Sequence, residues 1–381
     1  MTPPAEDDDQ GERTMFISRD QLLAALPVEA DQIGNYLIVL EGTTPGKRLE
    51  IGSTPITIGR GAGQTLVCDD RDVSRQHARV LLAGSSVQVE DLNSTNGTFV
   101  DEQRVTGTVT LKENARIRLG GQVLKFERRS KADVKKAQEL ERDIKKATDY
   151  VASLLPPPMT DGPVRATWRF VPSAQLGGDA FGYYWLDPNT FVFYLVDVSG
   201  HGVGSAMHSV SVLNVLRQRA LPGVDFTNPP QVLASLNARF PTHEHNGLYF
   251  TMWYGVYRAD TRVLTYGTAG HGPAIMVPAD KSRTEELGLS AVMIGMLPDQ
   301  EYDVKQQVMA PGSTVFVFSD GAYEIVTKNE ERWDLENFLP LLLQPAVPGQ
   351  TEPERIYQAI KTVAKAGPLD DDFSLVALTF P

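Results

Sequence analysis

Four aspartates occupy positions where carboxylates are hard to place. Asp179 follows Gly177-Gly178, and Asp197 ends an apolar run that leads into Ser199-Gly200-His201-Gly202. Asp320 closes Thr314–Ser319 and precedes Gly321. The fourth lies in Asp370-Asp371-Asp372, which precedes the apolar stretch Phe373–Phe380. A carboxylate at the end of a buried strand costs desolvation energy unless it is paired or bound to a metal. Several such carboxylates converging repel one another, and a divalent cation removes the repulsion. Ligands that are all oxygen favour a hard ion, Mg²⁺ or Mn²⁺, over zinc. His201, and His271 in Ala269-Gly270-His271, are either substrate-side proton donors or residues that orient tight glycine-rich turns.

A second set suits a different task. Arg60 in Gly59-Arg60, Ser74-Arg75-Gln76-His77, and Asn93-Ser94-Thr95-Asn96-Gly97-Thr98 follow one another at loop-sized spacing. Recognition of a phosphate dianion needs a guanidinium for charge and neutral donors for direction. Arg60 supplies the first, and Ser74, Thr95 and Asn96 supply the second. Asn96-Gly97 alone would be only a hairpin turn.

These residues need rigid elements behind them. Asn35–Arg128 is built of short apolar alternations, Tyr36–Leu40, Ile56–Ile58, Val87–Val89 and Ile117–Leu119, separated by turn signals such as Thr44-Pro45-Gly46. That pattern predicts an antiparallel all-β sandwich. Over Ser130–Leu155 Gly and Pro vanish. Ala137, Leu140, Ile144, Ala147, Val151 and Leu154 then recur in alternating steps of three and four, until Pro156-Pro157-Pro158 stops the helix. This helix either packs on the domain that follows or forms the seam of a homodimer. From Met159 strands and helices mix. Phe191–Val198 and Thr314–Ser319 read as strands buried on both faces. Ala206, Val210, Leu213 and Leu216 form one helical stripe, Asn228-Pro229 and Thr351 mark helix starts, and Phe373–Phe380 is the last strand.

Composition bounds the rest. The chain has 381 residues, 36 Lys+Arg against 48 Asp+Glu, and a net charge of −12. That balance argues against binding a nucleic-acid backbone. The single cysteine, Cys68, excludes an intramolecular disulfide framework and any multi-cysteine metal site. Glu6–Asp9 beside Pro3-Pro4 reads as a solvated tail. With neither a signal peptide nor a run of membrane-spanning length, the expectation is a cytoplasmic protein without membrane contact.

The ordered Arg60, Ser74–His77 and Asn93–Thr98 motifs resemble the forkhead-associated (FHA) domain, a β-sandwich that reads phosphothreonine. The resemblance implies that Arg60 and Ser74 contact the phosphate, that Arg75 and Thr95 assist, that Asn96 holds the peptide backbone, and that His77 braces the Ser74 loop. From Leu154 onward the chain resembles the metal-dependent protein phosphatases of the protein phosphatase 2C superfamily, closest to the bacterial SpoIIE and RsbU branch. Leu154-Leu155-Pro156, Gly177-Gly178-Asp179, Asp197–Gly202, Ala269–His271, Ser319-Asp320-Gly321 with Glu324, and Asp371–Ser374 carry that resemblance. It implies an α+β sandwich of four layers, α-β-β-α, and hydrolysis of phosphoserine or phosphothreonine in proteins. It also implies two Mn²⁺ or Mg²⁺ ions held by Asp179, Asp197, Asp320 and Asp371, with Asp197 bridging and the Val198 carbonyl as a further ligand. The register with Phe373-Ser374 favours Asp371, with Asp372 as the alternative. One position departs from the pattern: Gly182 stands where the family often has a second aspartate.

The expected organisation is therefore an acidic tail (1–30), an FHA domain (31–128), a helical linker (129–156) and a phosphatase domain (157–381). The expected function is that of a bacterial signalling phosphatase docked or regulated by a phosphothreonine-containing protein. Its substrate would be a phosphoserine or phosphothreonine protein. The alternative is a phosphothreonine-binding scaffold whose phosphatase domain is weakly active or silent. Phosphorylated Thr14 is an intramolecular candidate for the FHA site.

Overall fold

The computed structural model describes residues 32–381. The acidic segment 1–30 and Thr14 lie outside the described residues. The chain divides into two compact units between Glu141 and Arg142. The division falls inside helix α1, Lys131–Leu154, so each unit owns part of the segment that composition set apart as a linker.

The first unit is all β up to α1. Its six-stranded sheet runs Arg48–Glu50, Ile33–Glu41, Gln122–Ser130, Arg116–Leu119, Phe99–Val100 and Gln103–Arg104. Its five-stranded sheet runs Leu66–Val67, Ile56–Gly59, Ala78–Ala83, Ser86–Asp91 and Thr108–Thr110. Period-two alternation sends Leu37, Val39, Ile58, Val80, Val89, Ile117 and Leu124 into one core. With that face buried, a one-residue slip would turn these side chains to solvent, so the register is fixed. α1 begins on this unit: Val134 is buried, and Lys131 pairs with Glu50 at 2.7 Å.

The second unit holds two five-stranded antiparallel sheets. One runs Ala180–Asp187, Thr190–Val198, Phe250–Arg258, Val263–Ala269 and Lys305–Val308. The other runs Arg165–Val171, Phe373–Phe380, Ser313–Phe318, Ala274–Val277 and Glu285–Leu287. The strand Thr190–Val198 shows why its sequence is continuously apolar. Phe191, Phe193 and Leu195 join a cluster with residues of the other sheet, including Val315, Val317 and Leu378. Val192, Tyr194 and Val196 join a cluster with helices α2, Val203–Arg217, and α3, Pro229–Arg239. Ile275, Phe316, Phe373 and Leu375 of the second sheet pack with α4, Leu335–Leu343, and α5, Glu352–Val363. Asn228, Asp334 and Thr351 cap α3, α4 and α5 through their side chains, each cap being worth about 1 kcal/mol.

The C-terminal half of α1 rests on this second unit. Ile144, Val151 and Leu154 pack with Leu176, Ala206 and Val210, while Leu140 stays 62% exposed. The proline run after α1 is pinned by two donors. The Trp168 Nε1–H reaches the Pro156 carbonyl at 2.9 Å, and the Tyr183 hydroxyl reaches that of Pro157 at 2.7 Å.

Candidate functional sites

In the first unit, Arg60, Ser74, Arg75, Thr95 and Asn96 line one open depression, together with Arg71 and Gln76. Gly59 makes this possible, because a Cβ at that position would collide with the Arg75 carbonyl oxygen. The backbone N–H of Arg60 donates to the Ser74 carbonyl at 3.0 Å, which joins the end of one strand to the recognition loop. The Ser74 hydroxyl accepts from the Thr95 N–H at 3.0 Å and lies 3.3 Å from the Thr95 hydroxyl. Buried His77 accepts from the Ser74 N–H on Nδ1 at 3.0 Å. That places its proton on Nε2, 3.2 Å from the Gly97 carbonyl. His77 thus ties two loops together, the bracing role expected of it. Asn96 donates from Nδ2 to the Asp72 carbonyl at 2.9 Å, which leaves its side-chain oxygen to accept. Arg71, three residues before Ser74, was missed; its only signal was a cation beside a motif already singled out.

Asp91 organises the turn beneath. It accepts from the Ser94 N–H and hydroxyl and from the Thr98 hydroxyl, at 2.9, 2.6 and 2.6 Å. Burial opposes its charge, but these hydrogen bonds outweigh burial and hold its carboxyl below the usual range.

In the second unit, the four aspartates come from four separate segments and converge. Asp179 is 2% exposed, and its Oδ2 has no hydrogen-bond partner among the described residues. Burial, then Asp197 and Asp372, push its carboxyl well above the ordinary range, although the Ser319 and Ser374 hydroxyls favour its charge. Asp197 is pushed up to about 7 by burial and by Asp320, Asp371 and Asp372. Asp320 is pushed up to about 6 by burial, Asp371 and Glu324. Asp371 is raised by burial, although the Asp372 N–H, donating to it at 2.7 Å, works the other way. Desolvation and like-charge repulsion therefore act together on all four.

Neighbouring Asp372 has a different task. One of its oxygens accepts from the N–H and hydroxyl of Ser173 at 2.7 and 2.9 Å, and the other accepts from the Gly178 N–H at 2.6 Å. It fastens the Gly177-Gly178 loop in place, while Asp371 faces a cavity with Asp320, Glu324, Asp370, Arg332 and Trp333. Three glycines allow the packing. A Cβ on Gly177 would lie 2.6 Å from an Asp372 oxygen, one on Gly178 would lie 2.9 Å from the Val198 carbonyl oxygen, and one on Gly321 would strike the Asp372 carbonyl.

His201 is exposed, between Gly200 and Gly202 at φ 80° and 88°, and its charge favours ionised Asp371. His271 is buried, sits 2.8 Å from the Gly272 carbonyl through Nδ1, and is pushed down to about 4 by burial. Ser173 was not anticipated, because an isolated serine carries no spacing signal, and Ser319 and Ser374 stood within quoted motifs without an assigned role.

The donor set suits a hard cation. It is entirely oxygen, mutually repulsive, and includes a buried oxygen with no partner. Among the described residues, no group of three or more His, Cys, Asp or Glu side chains is placed so as to hold a metal ion. Gly182 stands apart from the cluster. It pairs with Tyr194 across the sheet, and a Cβ there would collide with the Tyr194 hydroxyl. Among the described residues, no helix is long and apolar enough to cross a membrane.

Comparison with known proteins finds a family match in each unit. Residues 187–381 match the family described as Stage II sporulation protein E (SpoIIE), and residues 56–120 match the FHA domain. The chain is 26% identical over 210 residues to the phosphoserine phosphatase RsbU of Bacillus subtilis, covering 55% of this chain and 61% of that protein. It is 41% identical over 94 residues to the FHA domain-containing protein FhaB of Mycolicibacterium smegmatis, covering 25% of this chain and 61% of that protein. Each of these relatives is thus matched over less than two thirds of its length. Among solved structures, the SiaA-PP2C domain of Pseudomonas aeruginosa aligns with a TM-score of 0.56 at 19% identity, over 66% of this chain and all of that one. That likeness shows the fold of the second unit.

Proposed function

The chain belongs to the SpoIIE family of phosphatases and carries an FHA domain, and from that premise we propose that it is a serine/threonine phosphoprotein phosphatase docked by phosphothreonine. The observation that carries the reading is the convergence of Asp179, Asp197, Asp320 and Asp371 from four segments, with an unpartnered oxygen buried among them. The apolar clusters of the second unit support the four-layer α-β-β-α order expected of such a domain.

In this reading the four carboxylates and the Val198 carbonyl hold two divalent cations, Mn²⁺ or Mg²⁺. Bound there, such ions would supply an acidified water and positive charge to offset the phosphoryl oxygens. The chain's own residues do the remaining work. Asp372 keeps the Gly177-Gly178 loop against the strand end at Val198. His201, exposed beside Asp371, is the group positioned to return a proton to the departing serine or threonine oxygen. Buried His271 stays neutral and orients its turn. At the other site, Arg60 pairs with the phosphate dianion while Ser74 and Thr95 donate to its oxygens, with Arg71 and Arg75 adding charge at the rim.

The test is hydrolysis of an aryl phosphate and of a phosphoserine peptide, with Mn²⁺ added or chelated. Metal-dependent turnover is expected, abolished by Asp197→Asn in a protein that still melts cooperatively. Arg60→Ala should lose phosphothreonine-peptide binding, measured calorimetrically, and keep aryl-phosphate hydrolysis. Wild-type protein that turns over no phosphoester with either ion would overturn the enzymatic reading and leave the phosphothreonine-binding scaffold. Unchanged peptide binding by Arg60→Ala would overturn the assigned pocket.

A further inference from the structure

Neither site uses a third concavity, at the foot of α1 within the second unit. It encloses about 350 Å³ and is walled by Leu155, Gly182, Tyr184, Trp185 and Tyr194, a size that suits a small ring-bearing ligand. The Tyr194 hydroxyl packs over Gly182, where any side chain would collide with it. That hydroxyl is buried and has no hydrogen-bond partner among the described residues. A buried donor left unmade is costly unless something else can satisfy it.

The charge of the cavity is opposite to that of the chain. Asp+Glu outnumber Lys+Arg 48 to 36 overall. Yet among the described residues lining this cavity there is no carboxylate, and there are two arginines, Arg217 and Arg219. Arg217 donates from Nη1 to the Leu154 carbonyl at 3.0 Å, the last residue of α1. The Arg219 guanidinium lies 5.6 Å from the centre of the Tyr184 ring. Both arginines are exposed.

We propose that this cavity binds a small aromatic carboxylate. The two guanidiniums take the anionic group, since carboxylates match their fork geometry. Tyr184 stacks against the ring. An acceptor atom brought beside the Tyr194 hydroxyl takes its proton. The site is independent of both phosphate sites, and its ligand class is not a phosphoester.

The experiment is calorimetric titration of the full chain with 2-naphthoate, which neither phosphate site should hydrolyse or prefer. One molecule per chain is expected. Arg219→Gln should weaken binding by roughly tenfold, about 1.4 kcal/mol, and Arg219→Lys by less. Tyr194→Phe should weaken binding while raising the melting temperature, because it removes an unsatisfied buried group. Arg60→Ala and Asp197→Asn should bind as tightly as wild type. The proposal is overturned by absence of binding at millimolar naphthoate, by equal affinity in Arg219→Gln, or by loss of binding in Arg60→Ala.

Discussion

Asp371 and Asp372 are adjacent and chemically identical, yet their surroundings give them opposite tasks. Asp372 receives three donors and is structural; Asp371 receives one and faces the cavity with Asp320. The same contrast separates Asp91 from Asp197. Hydrogen bonds outweigh burial at Asp91, whereas at Asp197 burial and three like charges go unopposed by any cation of the chain. The consequence for stability has a definite sign. An unfolded aspartate ionises near 3.9, while folded Asp197 holds its proton up to about 7. Metal-free folded protein therefore binds more protons across that window, and its stability falls as pH rises through it. Asp197→Asn should melt higher than metal-free wild type at pH 8, and the gap should close toward pH 5. Mn²⁺ should raise the wild-type melting temperature and leave the variant's nearly unchanged. A variant that melts lower than wild type at pH 8 would refute the repulsive cluster.

His208 titrates in the opposite sense. It is 6% exposed, packs edge-on against Phe240 and His245, and is pushed down to about 4 by burial and then by His245. Unfolded histidine takes a proton near 6.5, so this residue's contribution is intact above that value and is lost as pH falls toward 4. The acidic cluster has the reverse slope, so the test is a difference. The melting temperature of His208→Phe relative to wild type should climb as pH drops from 7 to 5. A constant offset would show that His208 does not set the acid response.

Among the elements, periodicity located what local physics dictates. The strands around Leu37, Ile58, Val89 and Ile117, the doubly buried strand at Phe191–Val198, and the caps Asn228 and Thr351 all stand where alternation and capping chemistry put them. The recognition motifs gathered because each lies at a strand end or turn. Long-range partners were out of reach of such reading. Ser173 meets Asp372 across 199 residues, and Gly182 meets Tyr194 only through sheet register. α1 shows the limit in a single helix. Its heptad-like spacing is real, but one part is used within the chain, where Ile144, Val151 and Leu154 pack on α2 and Leu176. Val151→Asp should therefore destabilise the second unit by about 2–4 kcal/mol, the range for a charge placed among buried apolar groups, read by denaturant melting. The homodimer seam, the other of the two readings of this helix, remains a proposal, resting on exposed Leu140 and Tyr150. Leu140→Glu should convert a sedimenting dimer to monomer without loss of stability; an unchanged sedimentation coefficient would remove α1 from the seam.

At the scale of the whole molecule, the two units share one continuous helix, and the proposed function gives each a different response to a phosphoryl group. In the proposed function, Arg60, Ser74 and Thr95 would bind it and the carboxylate cluster would hydrolyse it. One chain that both retains and removes phosphate gains most when both groups sit on the same partner, because the second encounter becomes intramolecular. Flexible tethers give effective concentrations in the millimolar range, provided the tether can span the sites. The expected outcome is specific to tethered substrates. A peptide bearing a non-hydrolysable phosphothreonine mimic, joined by a Gly/Ser linker to phosphoserine, should show kcat/KM raised by at least about tenfold over the same peptide with threonine at the docking position. The kcat at saturation should stay the same, since docking adds no contact at the reacting phosphorus. Arg60→Ala should erase the advantage and leave the threonine peptide's rate unaltered. A change in kcat instead of KM would mean that occupancy of the FHA site alters the catalytic unit itself, and equal kcat/KM for the two peptides at every linker length would mean that the two sites act on different partners.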